Sequence, residues 1–311
     1  MRIAIIGSGA IGSLFAGYLS HGGNDVTLVV RNPAHASMIR QAGLRMEGVR
    51  GNRTVAVGAT DQSAEAGPAE LIMLCVKAYD TAAALTQHAA LLEQGGFMLS
   101  LQNGFGHEEE IVRHVGQERV LLGTTTIGAN LPSPGRVLHN GDGETVIGRP
   151  DGQVNEELKR IADTFTRAGL NTTTSSHIDR RLWAKLAVNA AINAPAAILR
   201  VRNGVMANQP PLAALVQLVV RETVAVAGQA GVILDADALC AMAVDVARRT
   251  AINRCSMLVD VTAGKRTEIE FINGAIARIG RQHGVPAPVN ETLTLLVQAI
   301  EQTRTERRIT K

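Results

Sequence analysis

In the stretch "LWAKLAVNAAINAPAA" (182–197), Lys185, Asn189 and Asn193 fall at i, i+4 and i+8 among Leu182, Leu186, Val188 and Ile192. At about 100° per residue these three drift only about 40° per step, so a helix here carries one polar stripe along an otherwise apolar segment. An amine on such a face is costly unless it is paired. A structural ion pair, or a stem that snorkels to water, is the ordinary explanation. The chemical one is that the face lines a crevice. There an ammonium bonds a carbonyl oxygen and protonates it as negative charge develops, and partial desolvation brings its pKa toward the working range. The two amides then orient hydroxyl or carboxylate groups of the same small molecule.

A second chemical signal opens the chain. "IAIIGSGAIG" sets Gly7, Gly9 and Gly12 between an apolar run and a helical one, and another apolar run begins near residue 26. In this strand–turn–helix context the GxGxxG spacing reads as a dinucleotide-binding turn. The first glycine permits the tight turn, the second admits a pyrophosphate, and the third lets helix and strand pack closely. The N–H groups of a helix starting near Ala10 favour phosphate. A glycine-rich turn with no ligand is the alternative. The second strand, "VTLVVRN", ends in Arg31 where NAD binders usually carry Asp or Glu, so a 2′-phosphate and NADP are favoured; a surface arginine is the plainer reading.

Ligands of open α/β sheets bind beyond the carboxyl ends of the strands. Arg31, Lys77 of "LIMLCVKAYD" and Asn103 of "FMLSLQNGFG" each follow a buried run and are expected along one sheet edge. Lys77 would meet cofactor charge there, and Asn103 the cofactor or substrate. Ser256 and Glu268 in "CSMLVDVTAGKRTEIEFING" complete the candidates. A carboxylate in the first turn of a helix is favourable without any ligand.

These residues require particular elements to hold them. Apolar runs rich in Val and Ile predict strands at 2–6, 26–30, 71–76, 97–101 and 120–127, separated by helices or polar loops, which argues a parallel α/β sheet. "GRVLHNGDGETVIGRP" (135–150) reads as a hairpin around Asn140-Gly141 and Asp142-Gly143, adding antiparallel strands at the sheet edge. A helix at about 154–168 and a run at 171–175 follow. From residue 177 on the pattern is helical, with helices expected at 178–199, 211–230, 236–262, 268–284 and 291–308. Thr267 and Glu270 suggest a capping box. The expected fold is α/β, a Rossmann-type dinucleotide-binding domain (1–176) followed by an all-helical C-terminal substrate domain (177–311), with a crevice between them as the default ligand site.

Composition narrows the function classes. The 311 residues are 46% hydrophobic, enough for a sizeable core and two domains. A net charge of +3 and only 3% aromatic residues give no sign of nucleic-acid binding. The basic end "RTERRITK" reads as a solvated helix terminus. The three cysteines, Cys75, Cys240 and Cys255, are scattered without a CxxC, and the eight histidines form no HExxH. Neither a disulfide framework nor a metal site is expected, and a reducing, cytoplasmic compartment is. "MRIAIIGSGAIGSLFAGYLS" has the basic-then-apolar character of a signal peptide, but the spaced glycines and the strand that follows favour a folded segment. No uninterrupted run of about 18 apolar residues argues for a membrane span.

Taken in order, "GSGAIG", "CVKAYDT", "LQNG", "LWAKLAVNAAIN", "RNG" at 202–204 and "SMLVDVTAGKRTEIEFINGAIARIGRQHGVPAP" give the chain a resemblance to the 2-dehydropantoate 2-reductase (ketopantoate reductase) family, from Met1 to about residue 300. The last segments are far more specific than the glycine turn. The resemblance implies Lys185 as proton donor and Asn103, Asn189, Asn193, Asn203 and Ser256 as substrate contacts. It implies Gly7, Ser8, Gly9, Ala10, Ile11, Gly12, Arg31, Lys77, Asn103, Ala129 and Glu268 as contacts to NADP(H). The implied reaction is the NADPH-dependent reduction of 2-dehydropantoate to pantoate, toward pantothenate and coenzyme A. One departure stands out: after Asn193 the family usually reads Pro-Leu-Thr, and this chain reads "APAA". The substrate pocket beside the amides is therefore expected to differ. The competing readings are a reductase of the same superfamily acting on another 2-oxo or hydroxy acid, and a non-catalytic NADP(H)-binding module. The expected partner is a small 2-oxo acid, with a homodimer through the helical half also compatible.

Overall fold

The computed structural model describes residues 1–94 and 96–303, so "RTERRITK" lies outside the described residues. The chain divides into two compact units. One comprises Met1–Gln102 with His107–Ile178, the other Asn103–Gly106 with Asp179–Lys311.

The first unit begins with β1 (Arg2–Ile6), α1 (Ala10–His21), β2 (Asp25–Val29) and α2 (Pro33–Ala42). Three short strands follow, β3 (Leu44–Gly48), β4 (Arg53–Val55) and β5 (Gly58–Thr60), then β6 (Leu71–Leu74), α3 (Thr81–Gln87), α4 (Ala89–Gln94) and β7 (Phe97–Ser100). The unit continues with α5 (Glu108–Val115), β8 (Val120–Thr125), β9 (Gly128–Ser133), β10 (Arg136–Gly141), β11 (Thr145–Gly148), α6 (Glu156–Arg167) and β12 (Thr172–Thr174). The main sheet has the order β12-β11-β8-β7-β6-β1-β2-β5. β1 pairs in parallel with both β2 and β6. The chain builds outward from β1 through β2 to β5, then returns to the other side of β1 for β6, β7 and β8. β1 and β6 therefore flank a topological switch point, the doubly wound arrangement expected of a dinucleotide-binding domain. Ile3, Ala4, Ile5 and Ile6 are all buried, as in a parallel strand covered on both faces. Phe15 of α1 meets Phe165 of α6 edge to face with ring centroids 5.8 Å apart.

Two expectations are corrected here. β10 and β11 exist, but they do not form a hairpin. β11 runs antiparallel to β8 and parallel to β12 in the main sheet. β10 belongs to a second, four-stranded sheet of order β4-β3-β10-β9 that the sequence reading missed. The reversal into β10 is made at Pro134-Gly135, where Gly135 has φ 71°. Gly141 and Gly143 are absent from the left-handed glycines, so the primed turn that an Asn-Gly or Asp-Gly hairpin needs is not formed there.

The second sheet is fastened to α1 by a buried polar contact. Tyr18 pairs its hydroxyl with His139 Nδ1 at 2.8 Å, while His139 Nε2 lies 3.1 Å from the Gly141 carbonyl. A carbonyl only accepts, so Nε2 carries the proton and Nδ1 accepts from the tyrosine. Burial lowers the His139 pKa, keeping the ring neutral. Arg50 lies over the Tyr18 ring, 5.4 Å from its centroid, and pairs with Asp142 at 2.6 Å.

The second unit is helical: α7 (Ile178–Leu199, whose first residue lies in the other unit), α8 (Gly204–Asn208), α9 (Pro210–Gln229), α10 (Ala236–Arg249), α11 (Ser256–Thr262), α12 (Asn273–Gln282) and α13 (Pro288–Gln302). The expected single helix over 236–262 is two, because the chain between them is used for tertiary bonds. Ala251 and Asn253 give their carbonyls to the Gly204 and Asn203 amides, setting up α8. The helix expected from 268 begins only at Asn273, after one 3₁₀ turn over Ile269–Phe271. There is no capping box: Thr267 Oγ1 accepts from the Ile269 amide, and Glu270 pairs with Arg266. α7 and α9 are long and apolar enough to cross a membrane by length and composition, and α7 is mostly buried, as core helices are.

Replacing Tyr18 by Phe leaves the buried Nδ1 of His139 without a donor. The expected cost is about 1–3 kcal/mol, read as a lower denaturation midpoint in urea.

Candidate functional site

The glycine turn connects β1 to α1 against the backbone that leaves β6. Gly7 has φ 111°, and a Cβ on it would stand 2.8 Å from the Cys75 carbonyl carbon and the Val76 nitrogen. A Cβ on Gly12 would stand 2.0 Å from the Gly7 carbonyl oxygen. Both positions need glycine for the chain's own close packing. Gly9 does not: a Cβ there finds no atom closer than 4.0 Å, and the residue is exposed. The space over Gly9 is thus unused by the protein itself, and it lies at the N-cap of α1, where no side chain caps the helix and no acid occupies the first turn. The amides of Ala10, Ile11 and Gly12 have no acceptor one turn back within the helix. Ser13 is tied inward, its amide to Gly9 and its hydroxyl to the Ser8 carbonyl. This cradle fits a pyrophosphate by shape and by dipole.

Arg31 follows β2 and Lys77 follows β6, both at the carboxyl edge of the sheet. Arg31 Nη2 pairs with Asp80 Oδ2 at 2.9 Å. Asp80 closes the turn that Lys77 opens, and its partnership with Arg31 was not foreseen; an acid three residues after a strand-exit lysine was the available signal. Ala129 lies on β9, in the second sheet, and that strand packs on α1.

The polar stripe belongs to the helical unit. Trp183, Leu186, Ala187 and Val188 are buried around it. Lys185 is half-buried, and burial pushes its ammonium down to about 8, with the Glu268 carboxylate pulling the other way. Asn189 is half-buried and Asn193 buried, and neither side-chain amide has a hydrogen bond among the described residues. Two amides with no partner among the described residues, on one line with a desolvated amine, are suited to a polar ligand. Ser256 is exposed at the first position of α11. That end of α11 is anchored by Cys255, which donates its thiol to the Asn193 carbonyl at 3.6 Å and accepts from the Leu258 amide. Asn203 is buried and donates Nδ2 to Thr250 Oγ1 at 2.9 Å, while its Oδ1 has no partner. Asn103 also falls in this unit. Its neighbour Phe105 stacks on Trp183 with centroids 4.8 Å apart and donates its amide to Phe271. Lys185, Asn189, Asn193, Asn203, Ser256, Glu268 and Asn103 are thus parts of one unit, and the glycine turn, Arg31, Lys77 and Ala129 of the other.

Cys255 and Asn273 were missed because they act on α7 through its backbone. Asn273 donates to the Ala190 carbonyl at 3.2 Å and to Asn290 Oδ1 at 3.0 Å. Glu222 completes the chain of bonds, its carboxylate accepting from the Val289 and Asn290 amides and from Asn290 Nδ2. A surface cavity of about 360 Å³ lined by Gln217, Arg221, Cys240 and Arg248 contains none of the stripe residues.

The family described as "Ketopantoate reductase PanE/ApbA" matches residues 3–152, and its C-terminal counterpart matches residues 177–301. The chain belongs to the ketopantoate reductase family. Among relatives of this oxidoreductase, a 2-dehydropantoate 2-reductase of Halobacterium salinarum is 38% identical over 97% of this chain and 99% of its own. That of Pyrococcus horikoshii is 41% identical over 97% and 98%. A PanE/ApbA family ketopantoate reductase from Ralstonia eutropha superposes with a TM-score of 0.90 at 32% identity, covering 98% of this chain and 100% of that one. A D-mandelate dehydrogenase solved with NADH and anilino(oxo)acetate superposes with a TM-score of 0.92 at 30% identity, over 97% and 99%.

In this ketopantoate reductase family member, Gly12→Ala is expected to lower the melting temperature, since its Cβ meets backbone. Gly9→Ala is expected to melt normally and lose dinucleotide affinity by tenfold or more, on the order of 1.4 kcal/mol, in a fluorescence titration.

Proposed function

We propose that this protein catalyses the NADPH-dependent reduction of 2-dehydropantoate to pantoate, with Lys185 as the proton donor. The assignment to this substrate rests on full-length relatives that carry that name. The role of Lys185 rests on one observation, an amine lowered to about 8 by burial on a helix face that also carries two unbonded amides.

When bound, the reduced nicotinamide supplies hydride to C2 of the 2-oxo acid. The glycine turn holds the pyrophosphate at the α1 N-terminus, and Arg31 binds the 2′-phosphate. The Lys185 ammonium donates a hydrogen bond to the 2-oxo oxygen and passes its proton to that oxygen as the carbonyl becomes an alcohol; solvent then restores the ammonium. An acid with a pKa near the operating pH is well matched to this transfer. Glu268 keeps enough positive charge on the amine for it to serve. Asn189 and Asn193 orient the substrate's carboxylate and hydroxyl, with Ser256, Asn203 and Asn103 as further contacts. The free thiols of Cys75, Cys240 and Cys255 suit a cytoplasmic enzyme.

A second reading has a specific basis. D-mandelate dehydrogenase shares the fold closely, and the segment after Asn193 reads Ala194, Pro195, Ala196 and Ala197, all buried and without a hydroxyl. The same chemistry on another 2-oxo acid fits these facts. Assaying 2-dehydropantoate against a panel of branched and aromatic 2-oxo acids decides between them: a kcat/KM tenfold or more higher for another acid overturns the first reading.

Lys185→Ala is expected to lower kcat by about 10²–10⁴-fold while leaving dinucleotide affinity nearly unchanged. Because the donor must be protonated, reduction is expected to fall as pH rises through about 8. The reverse oxidation needs the neutral amine and is expected to rise over the same range. Replacing Glu268 by Gln removes the charge that favours the ammonium, so both limbs move to lower pH; pH–rate profiles of the two enzymes test this.

A further inference from the structure

We infer that Asp80 sets how strongly this protein discriminates between dinucleotides with and without a 2′-phosphate. The inference rests on the reading that the first unit binds NADP(H) with Arg31 on the 2′-phosphate, and it assigns a determinant to that same site.

The sheet order places β2 and β6 on either side of β1. Arg31 leaves β2 and Asp80 ends the turn that leaves β6, so their 2.9 Å ion pair bridges over the exit of β1, where the glycine turn lies. Only one guanidinium nitrogen, Nη2, is paired with Asp80, through Oδ2. The arginine side chain is 78% exposed and that of Asp80 32% exposed, so the pair is accessible to a ligand on the sheet edge.

Two costs follow for a 2′-phosphate. It must share or take the guanidinium from a carboxylate that already holds it, and it carries about 1.5–2 negative charges to within reach of that carboxylate. A 2′-hydroxyl meets neither cost. It can also donate to Asp80, much as ribose hydroxyls donate to the acid that ends the second strand in NAD binders. Here the acid comes instead from the exit of the neighbouring strand. Asp80 therefore weakens the preference for NADP that Arg31 alone would confer, and brings NAD and NADP closer together. The pair is exposed, so the effect is one of degree, a several-fold bias.

The test measures binding by calorimetry, with adenosine 2′,5′-bisphosphate and AMP as probes that differ only in the 2′-phosphate. In Asp80→Asn the bisphosphate is expected to bind about three- to tenfold tighter, with AMP unchanged or weaker. The gain should shrink at about 1 M salt, where exposed charges are screened. Asp80→Ala, which removes the carboxylate altogether, should move the ratio in the same direction. Arg31→Ala should weaken the bisphosphate selectively. If Arg31→Ala behaves so but neither Asp80 variant raises the ratio, the role of Asp80 is overturned and the 2′-phosphate reading of Arg31 stands. If Arg31→Ala leaves the ratio untouched, the Arg31 reading falls and takes the inference with it.

Discussion

The partial removal of the Lys185 ammonium from water is the constraint on which the helical unit turns. Burial disfavours the charge at Lys185 and Glu268 opposes that in part, while the rest of α7 is committed to packing. Ala187, Ala190, Ala191 and Ala194 are fully buried, so neighbouring helices approach closely around the polar line. Within that packing α7 continues through Pro195, which supplies no amide to the carbonyl one turn earlier. Lateral bonds to the helix backbone hold it nearby: Asn273 takes the carbonyl of Ala190, and Cys255 takes that of Asn193. The side-chain amides of Asn189 and Asn193 and the carbonyls that fix the helix thus belong to the same stretch of α7.

The first unit solves a different problem, that of bringing two strands and a helix into backbone contact while leaving the helix N-terminus open. Gly7 and Gly12 bring β1, β6 and α1 into backbone contact, and Gly9 leaves the helix end uncovered. The N-terminus of α1 carries no capping side chain, and Arg31, Lys77 and Asp80 follow the neighbouring strands β2 and β6.

Much of this was legible because some residues have few alternatives. The apolar run at β1 and the spacing of Gly7, Gly9 and Gly12 admit one local structure, and the bounds read for α7, 178–199, are those observed. The second sheet was not legible. β3 is LRMEG, which alternates but over only four residues, β4 is RTV, only three residues long, and β9 is GANLPS, with polar residues and glycine in place of alternation. Their pairing is decided by α1 and by Tyr18 and His139, which are distant in sequence. The break between α10 and α11 was hidden for the same reason, since only α8 reveals why the carbonyls of Ala251 and Asn253 are needed elsewhere. In the candidate site, the polar line of Lys185, Asn189 and Asn193 on an otherwise buried helix could be read from periodicity. Cys255 and Asn273 could not, because each acts by touching the α7 backbone, and for Asp80 the sequence offers only its place three residues after Lys77.

The assignment of Asn103–Gly106 to the helical unit, while the residues on either side belong to the other, bears on any attempt to dissect the molecule. A fragment beginning at Asp179 would lack Phe105, exposing the face of Trp183 that this ring covers and leaving the Phe271 carbonyl without its donor. The complementary fragment would carry Phe105 without the Trp183 ring it packs on. The helical unit is thus completed by a tetrapeptide synthesised more than seventy residues before its first helix.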